Sequence, residues 1–243
     1  IELNSRRRNR MAGHITNASN GRIKLEVDQS FGNCPQYIQT RMLGKIDSTL
    51  LPPPSVEEIQ SFDESTRHFI KQSDTFFVAS FVPNDTGEVS EGADVSHRGG
   101  KPGFIRVDNE TTLTIPDYLG NFHFNTFGSF LENPKAGLLF VDFENGHLLT
   151  VTGTVEILWD SPEVQYFDGA ERLWRFHIDH GRWIKNAMPL RWEFQDYSPN
   201  TLLTGTWQEA QELVEAEKQR NQWLPYTVDR VIEESEVISS FYL

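Results

Sequence analysis

A single cysteine, Cys34, stands among 243 residues, which excludes an internal disulfide and any multi-cysteine zinc or iron–sulfur site. One unpaired thiol suits a reducing compartment, so the cytoplasm is the expected location. Positive charge is in short supply: 22 Lys and Arg face 35 Asp and Glu, a formal net charge of -13. Such a surface repels a nucleic-acid backbone, and nucleic acid is not an expected partner. No apolar run approaches the roughly 20 residues of a membrane span, so no membrane association is expected. The opening Ile1-Glu2-Leu3-Asn4, followed by Arg6-Arg7-Arg8, also lacks the apolar stretch of a signal peptide. Metal-ligand spacing is missing too. His177 and His180, with Asp179 between them, fall on opposite faces of a strand and have no third ligand at a recognisable spacing. Neither a Ser-His-Asp set nor a nucleophile elbow is present.

What the chain does contain is a series of short β-type runs: 75–82, 103–107, 111–115, 137–143 and 147–157. Two of them meet at Glu144-Asn145-Gly146, where Asn-Gly favours a tight hairpin turn. The pattern predicts a mainly β, α+β chain built on an antiparallel sheet or barrel with peripheral helices. A helix is predicted from Val56 to about Gln72, with Ser55 and Glu58 as a capping box. A second follows Gly120-Asn121 and stops at Asn133-Pro134. A third starts at Thr206…Glu209 and runs to about Gln222. Residues 83–100 are polar and rich in turn formers, a stretch that reads either as a functional loop or as a surface connection. Laying 1–16 on 141–156 pairs Ile1/Val141, Glu2/Asp142, Leu3/Phe143, Met11/Val151, Gly13/Gly153 and Ile15/Val155 by type, as if Ile1 began inside a second copy of a strand hairpin.

The block from His97 to Phe143 assembles the parts that a phosphate-bearing planar cofactor needs. Arg98-Gly99-Gly100-Lys101-Pro102-Gly103 leads into Phe104-Ile105-Arg106-Val107; a hairpin, Pro116 to Asn121 and a helix carrying Asn125 and Thr126 follow. Glycines admit backbone close to a ring edge. Arg106 offers a guanidinium fork to phosphate oxygens, and the helix start adds amide and side-chain donors from Asn121, Asn125 and Thr126. Taken singly, Arg106 reads equally as a solvent-facing residue and Asn121 as a helix cap.

In order and spacing, Gly-Lys-Pro-Gly-Phe-Ile-Arg-Val, Leu-Thr-Ile-Pro-Asp-Tyr-Leu-Gly-Asn and Asn-Pro-Lys-Ala-Gly-Leu-Leu-Phe resemble the pyridoxamine 5'-phosphate oxidase-like FMN-binding family over about residues 60–200. The resemblance implies an FMN-binding split β-barrel, a homodimer with the site at its interface, and flavin-dependent oxidoreductase chemistry. It makes Arg98, Lys101 and Arg106 basic residues of the flavin site, with Gly103, Phe104 and Ile105 along the ring. Asn121, Asn125 and Thr126 take the helix-start phosphate positions, and Trp192 is a candidate aromatic wall. Where the family has an Arg-Lys pair this chain has Asn125-Thr126, and the Arg-x-His-x-Arg type of substrate signature is missing. True pyridoxamine phosphate oxidase activity is therefore not expected.

Residues 6–13 and 29–39 further resemble a segment of large proteins that place split-barrel sequence before a ferredoxin reductase-like module, and 228–243 resembles that module's first strands. The domain organisation this implies is residues 1–50 as the last strands of an upstream half-barrel repeat, 51–205 as the FMN-binding barrel, 206–225 as a linker helix and 226–243 as the start of a downstream FAD- and NAD(P)H-binding module. The chain would then be truncated at both ends. Electrons would pass between NAD(P)H and FMN within the longer protein. The alternative is a flavin- or haem-binding dimerisation module without catalysis. Two residues are candidates for chemistry: His97 as a general acid, through a pKa near neutrality, and Cys34 as a thiol facing the flavin or simply a small buried hydrophobe.

Overall fold

The structure is a computed structural model that describes residues 1–47, 49, 51–83, 86–87, 91–120, 124–220 and 227–242. It begins with a hairpin, β1 (Arg8–Ser19) and β2 (Arg22–Asn33), followed by β3 (Thr40–Lys45) and β4 (Ser55–Ile59). Helix α1 (Glu64–Gln72) leads to β5 (Thr75–Val82), β6 (Gly92–Gly99), β7 (Arg106–Val107) and β8 (Thr112–Tyr118). After α2 (Asn125–Glu132) come β9 (Lys135–Val141), β10 (Leu148–Leu158), β11 (Ala170–Lys185) and β12 (Leu190–Asp196). The last elements are α3 (Pro199–Leu202), α4 (Trp207–Arg220), β13 (Arg230–Ser235) and β14 (Ile238–Tyr242).

Residues 1–210 form one compact unit. Its principal sheet runs β6-β5-β9-β10-β11-β8-β7, with β4 also paired to β11, and every pairing is antiparallel. Strand β11 makes the closure possible. Its first half pairs with β8 and its last residues with β4, while β10 follows it along the other edge. The β10–β11 register shifts between Thr152 and Gly153, which leaves Asp179 as an extra residue and bends the pair. Only glycine fits at the bend: a Cβ on Gly153 would lie 1.9 Å from the His177 carbonyl oxygen.

The sheet encloses an aromatic core. Trp174, Phe76, Phe104 and Phe140 are fully buried, and the Phe76 ring lies 5.3 Å from Phe140 and 6.0 Å from Phe104, centroid to centroid. Helix α2 seals one end by placing the Phe130 ring 5.8 Å from Trp174. These side chains carry the largest share of burial energy, about 1.5–3 kcal/mol each. The fold is thus the mainly β split barrel that the sequence pattern predicts.

Several elements depart from expectation. The helix predicted from Val56 starts at Glu64, because Asp63 caps it by accepting the Thr66 amide at 2.8 Å. Residues 55–59 instead form β4, with Val56 opposite Ile184 on β11. The polar 83–100 stretch contains β6, and the 103–107 run contributes only the two residues of β7. The helix expected after Gly120-Asn121 begins at Asn125, and Asn121 itself lies outside the described residues. At the third helix the capping box forms in both directions: the Thr206 amide donates to Glu209 Oε2 at 2.6 Å, and the Glu209 amide to Thr206 Oγ1 at 3.2 Å. The second unit, residues 211–243, holds the remainder of α4 and the β13–β14 hairpin.

Gly153→Ala is expected to destabilise the barrel by about 1–3 kcal/mol or more, since the new methyl group meets backbone that cannot yield. Urea denaturation measures the change; an unaltered midpoint would show that the bend does not need glycine.

Candidate functional site

A cleft of about 140 Å³ opens where β6, the end of β8 and the start of α2 face the N-terminal hairpin. From the barrel come Ser96, His97, Arg98, Phe104, Asp117, Tyr118, Asn125 and Thr126; the hairpin and the segment after it add Arg8, Arg10, Phe31, Asn33, Cys34 and Tyr37. Gly99 lets the two parts meet, because a Cβ there would lie 2.0 Å from the Tyr37 carbonyl oxygen. The Tyr37 ring then stacks on Tyr118 at 5.2 Å, and its hydroxyl donates to the Leu119 carbonyl at 2.9 Å.

Ion pairs organise the walls. Asp117, 5 % exposed, accepts from Arg98 at 2.6 Å and from Arg172 at 2.8 Å. Burial pushes its carboxyl pKa up, against the pull of both guanidinium groups. Arg10 pairs with Asp94 at 2.8 Å and donates to Ser96 Oγ at 2.7 Å, and Thr126 Oγ1 donates to the same oxygen at 3.0 Å. Arg172 also reaches Glu171 at 3.2 Å. Arg8 has no carboxylate among the described residues. Its pKa is pushed down to about 10, first by burial and then by the neighbouring charges of Arg10 and Arg98, partly offset by Cys34 and Asp94. The guanidinium still carries its full charge at neutral pH.

Buried polar atoms are normally hydrogen-bonded. Around this cleft Arg8 Nε, Arg98 Nε, Asn33 Oδ1 and His97 Nε2 are buried without a partner among the described residues. The N-cap position of α2 is Phe124, whose side chain makes no capping hydrogen bond. Two unpaired guanidinium Nε donors, a net positive wall and a helix start together form a site suited to an anion.

Of the residues singled out in the sequence, Arg98, Phe104, Asn125 and Thr126 line the cleft, as do His97 and Cys34. The others lie elsewhere. Arg106 is held by Glu163 at 2.7 and 3.2 Å and by Asp108, with its guanidinium 3.8 Å over the Trp207 ring. Lys101 pairs with Glu209 at 2.9 Å. Gly103, at φ +89°, ties α1 to α4: its amide donates to the Lys71 carbonyl, and its own carbonyl accepts from the Trp207 amide. Ile105 is core, and Trp192 packs edge-on against Phe143 beside the β12–β3 pair. The strand facing the cleft is therefore β6, rather than the 104–107 segment. Arg8, Arg10 and Asp117 went unrecognised in the sequence. A usable signal was present, since Arg8 and Arg10 alternate on a strand with Met11, Gly13 and Ile15 on its other face.

An antiparallel split barrel with a cationic cleft beside a helix start defines the structural class. A family model described as pyridoxamine 5'-phosphate oxidase matches residues 62–195, more than half of the chain, and the chain belongs to that family. Among curated proteins none matches. Similar solved structures include HupZ from Group A Streptococcus, at 13% identity and TM-score 0.37, covering 48% of this chain and 89% of that one. Another is a Clostridium acetobutylicum protein related to general stress protein 26, of the pyridoxinephosphate oxidase family, at 14% identity and TM-score 0.37, covering 54% and 92%. A third is an FMN-binding protein from Syntrophomonas wolfei, at 12% identity and TM-score 0.28, covering 53% and 88%. Scores this low carry no functional argument.

His97 does not fit the general-acid role expected of it. It is 7 % exposed, and its pKa is pushed down to about 3, first by burial and then by the charges of Arg8, Arg98 and Arg41. The imidazole is neutral at physiological pH and has no proton to give as an imidazolium. Because the folded-state pKa lies below the unfolded value near 6.5, the unfolded chain takes up this proton first. The resulting stability is complete above about pH 6.5 and is lost as pH falls toward 3, by up to about 1.4 kcal/mol per pH unit. Urea melts of wild type and His97→Gln between pH 7 and 4.5 test this. The substitution is expected to flatten the decline, and parallel pH profiles would contradict the assignment.

Proposed function

We propose that the chain binds FMN noncovalently in the cleft between β6, β8 and α2, and serves as the flavin domain of an oxidoreductase. One observation carries the reading: a cationic cleft, with arginine Nε donors that have no partner among the described residues, lies against a helix start. Members of the family commonly bind FMN, which supports the same ligand. Bound FMN supplies hydride or single-electron transfer at its ring system. The protein's part is to bind and orient. Arg98, which lines the cleft, is fixed by Asp117 with its guanidinium 5.3 Å over Phe127, and its Nε is buried without a partner among the described residues. Asn125 and Thr126 place the start of α2 against the cleft, and the stacked pair Tyr37–Tyr118 provides a flat apolar wall for a ring.

In a longer protein, a downstream FAD- and NAD(P)H-binding module would exchange electrons with this flavin. The resemblance of 228–243 to the first strands of such a module supports that extension. A second reading, a flavin- or haem-binding dimerisation module without catalysis, has one observation in its favour: His97, the expected acid, is buried and neutral.

The test is an absorbance spectrum of the purified chain after incubation with FMN and washing, with the released chromophore identified by mass. About one FMN per chain is expected, with affinity falling roughly tenfold or more in Arg98→Ala, the loss typical of a charge-assisted contact. No flavin retained even at high FMN would remove the cofactor assignment.

A further inference from the structure

The N-terminal hairpin repeats the barrel's own β10–β11 hairpin in geometry as well as in residue type. The Glu2 amide donates to the Arg7 carbonyl at 2.8 Å, as the Asp142 amide does to that of His147 at 2.9 Å. Both first strands shift register at a glycine, between Ala12 and Gly13 and between Thr152 and Gly153, and each shift leaves an aspartate extra, Asp28 or Asp179. A Cβ on Gly13 would lie 1.9 Å from the Glu26 carbonyl oxygen, matching the 1.9 Å at Gly153. The copies then meet. Strand β3, which follows the first hairpin, pairs antiparallel with β12, which follows the second. Antiparallel pairing of like elements is what a two-fold relation between the copies produces.

Along the two hairpins the residue types diverge on one face. Met11 and Ile15 stand where the core residues Val151 and Val155 stand, which keeps that face apolar. On the other face Arg8 and Arg10 stand where the second copy has Leu148 and Thr150. This arginine face is the one turned to the cleft. Arg10 is neutralised by Asp94 and Arg98 by Asp117, while Arg8 stands half-buried beside them, its Nε covered and unpaired among the described residues. A partly dehydrated charge without a carboxylate partner is costly, and an anion in the cleft reduces that cost.

We infer that this hairpin, a repeat within the same chain, supplies the second wall of the cleft, and that Arg8 on it holds the phosphate of the bound ligand. One chain then carries a complete anion site and needs no second subunit to bind. The inference deepens the flavin reading and rests on it only for what bears the phosphate, a flavin monophosphate or free inorganic phosphate.

The experiment titrates the full chain and Arg8→Gln with FMN, with riboflavin and with inorganic phosphate, following flavin fluorescence and thermal stability, and determines the mass of the flavin-bound species by light scattering. For wild type, FMN is expected on a monomer. Arg8→Gln should weaken FMN roughly tenfold or more and leave riboflavin unchanged. The unliganded variant should melt no lower than wild type, because it loses a half-buried charge that has no carboxylate partner among the described residues; this separates a binding defect from a folding defect. Equal FMN affinity in the variant, or FMN found only on dimers, overturns the inference while the flavin reading stands. Stabilisation by inorganic phosphate that depends on Arg8, with no FMN binding, upholds the anion site and sinks the flavin reading. No response to any of the three ligands sinks both.

Discussion

The barrel depends on the bulged pairing of β10 with β11, where Gly153 brings its backbone against His177 and allows a 16-residue strand to bend. Along one edge β11 serves β8 with its first half and β4 with its last residues, on either side of the bend. Closure around Trp174 and Phe76 follows from that bend, and with it the positions of β6 and α2, whose ends frame the cleft. The same device recurs at Gly13, so the hairpin that forms the opposite wall has the same curvature. Backbone geometry thus shapes both walls before any side chain contributes chemistry.

Electrostatics then decide what the cleft accepts. Asp117 and Asp94 neutralise Arg98 and Arg10 and lock them in place, and Arg172 reinforces Asp117 from behind. What remains is the charge of Arg8, together with donors that have no acceptor. In a partly dehydrated site such groups repay an anionic ligand far more than they would in water. Burial first, and then the crowding of guanidinium groups, explain why His97 is neutral: a further cation there would be desolvated among like charges. A residue that looks like an acid in the sequence is in effect part of the packing.

Local pattern made much of the barrel legible. Residues 75–82 form β5 with the predicted bounds, and Asn145-Gly146 turns the β9–β10 hairpin with Gly146 at φ +72°. Strands β6 and β11 were harder to read, because Ser96, Arg98, Arg172, Arg175 and His180 break their apolar runs. Those interruptions mark the faces that carry ion pairs and cleft residues. Helix α1 was drawn too long because Ser55 and Glu58 imitate a capping box, whereas pairing of β4 with β11 overrides local propensity. The site was legible in part. Arg98, Asn125 and Thr126, singled out by their neighbourhood, line the cleft. Arg106 lies outside this cleft, paired with Glu163, 57 residues away on a short helical turn that no local pattern links to it. Arg8 belongs to the cleft only through the packing of a hairpin against a strand some way along the chain, which spacing alone does not reveal.

The most direct measurement is a crystal structure of the chain grown with FMN. Density for the flavin is expected between Tyr118, Arg98 and the N-terminal hairpin, with its phosphate at Arg8 and the start of α2. Flavin bound along 101–106 beside Lys101 and Arg106, or a cleft occupied only by water at saturating FMN, would contradict it.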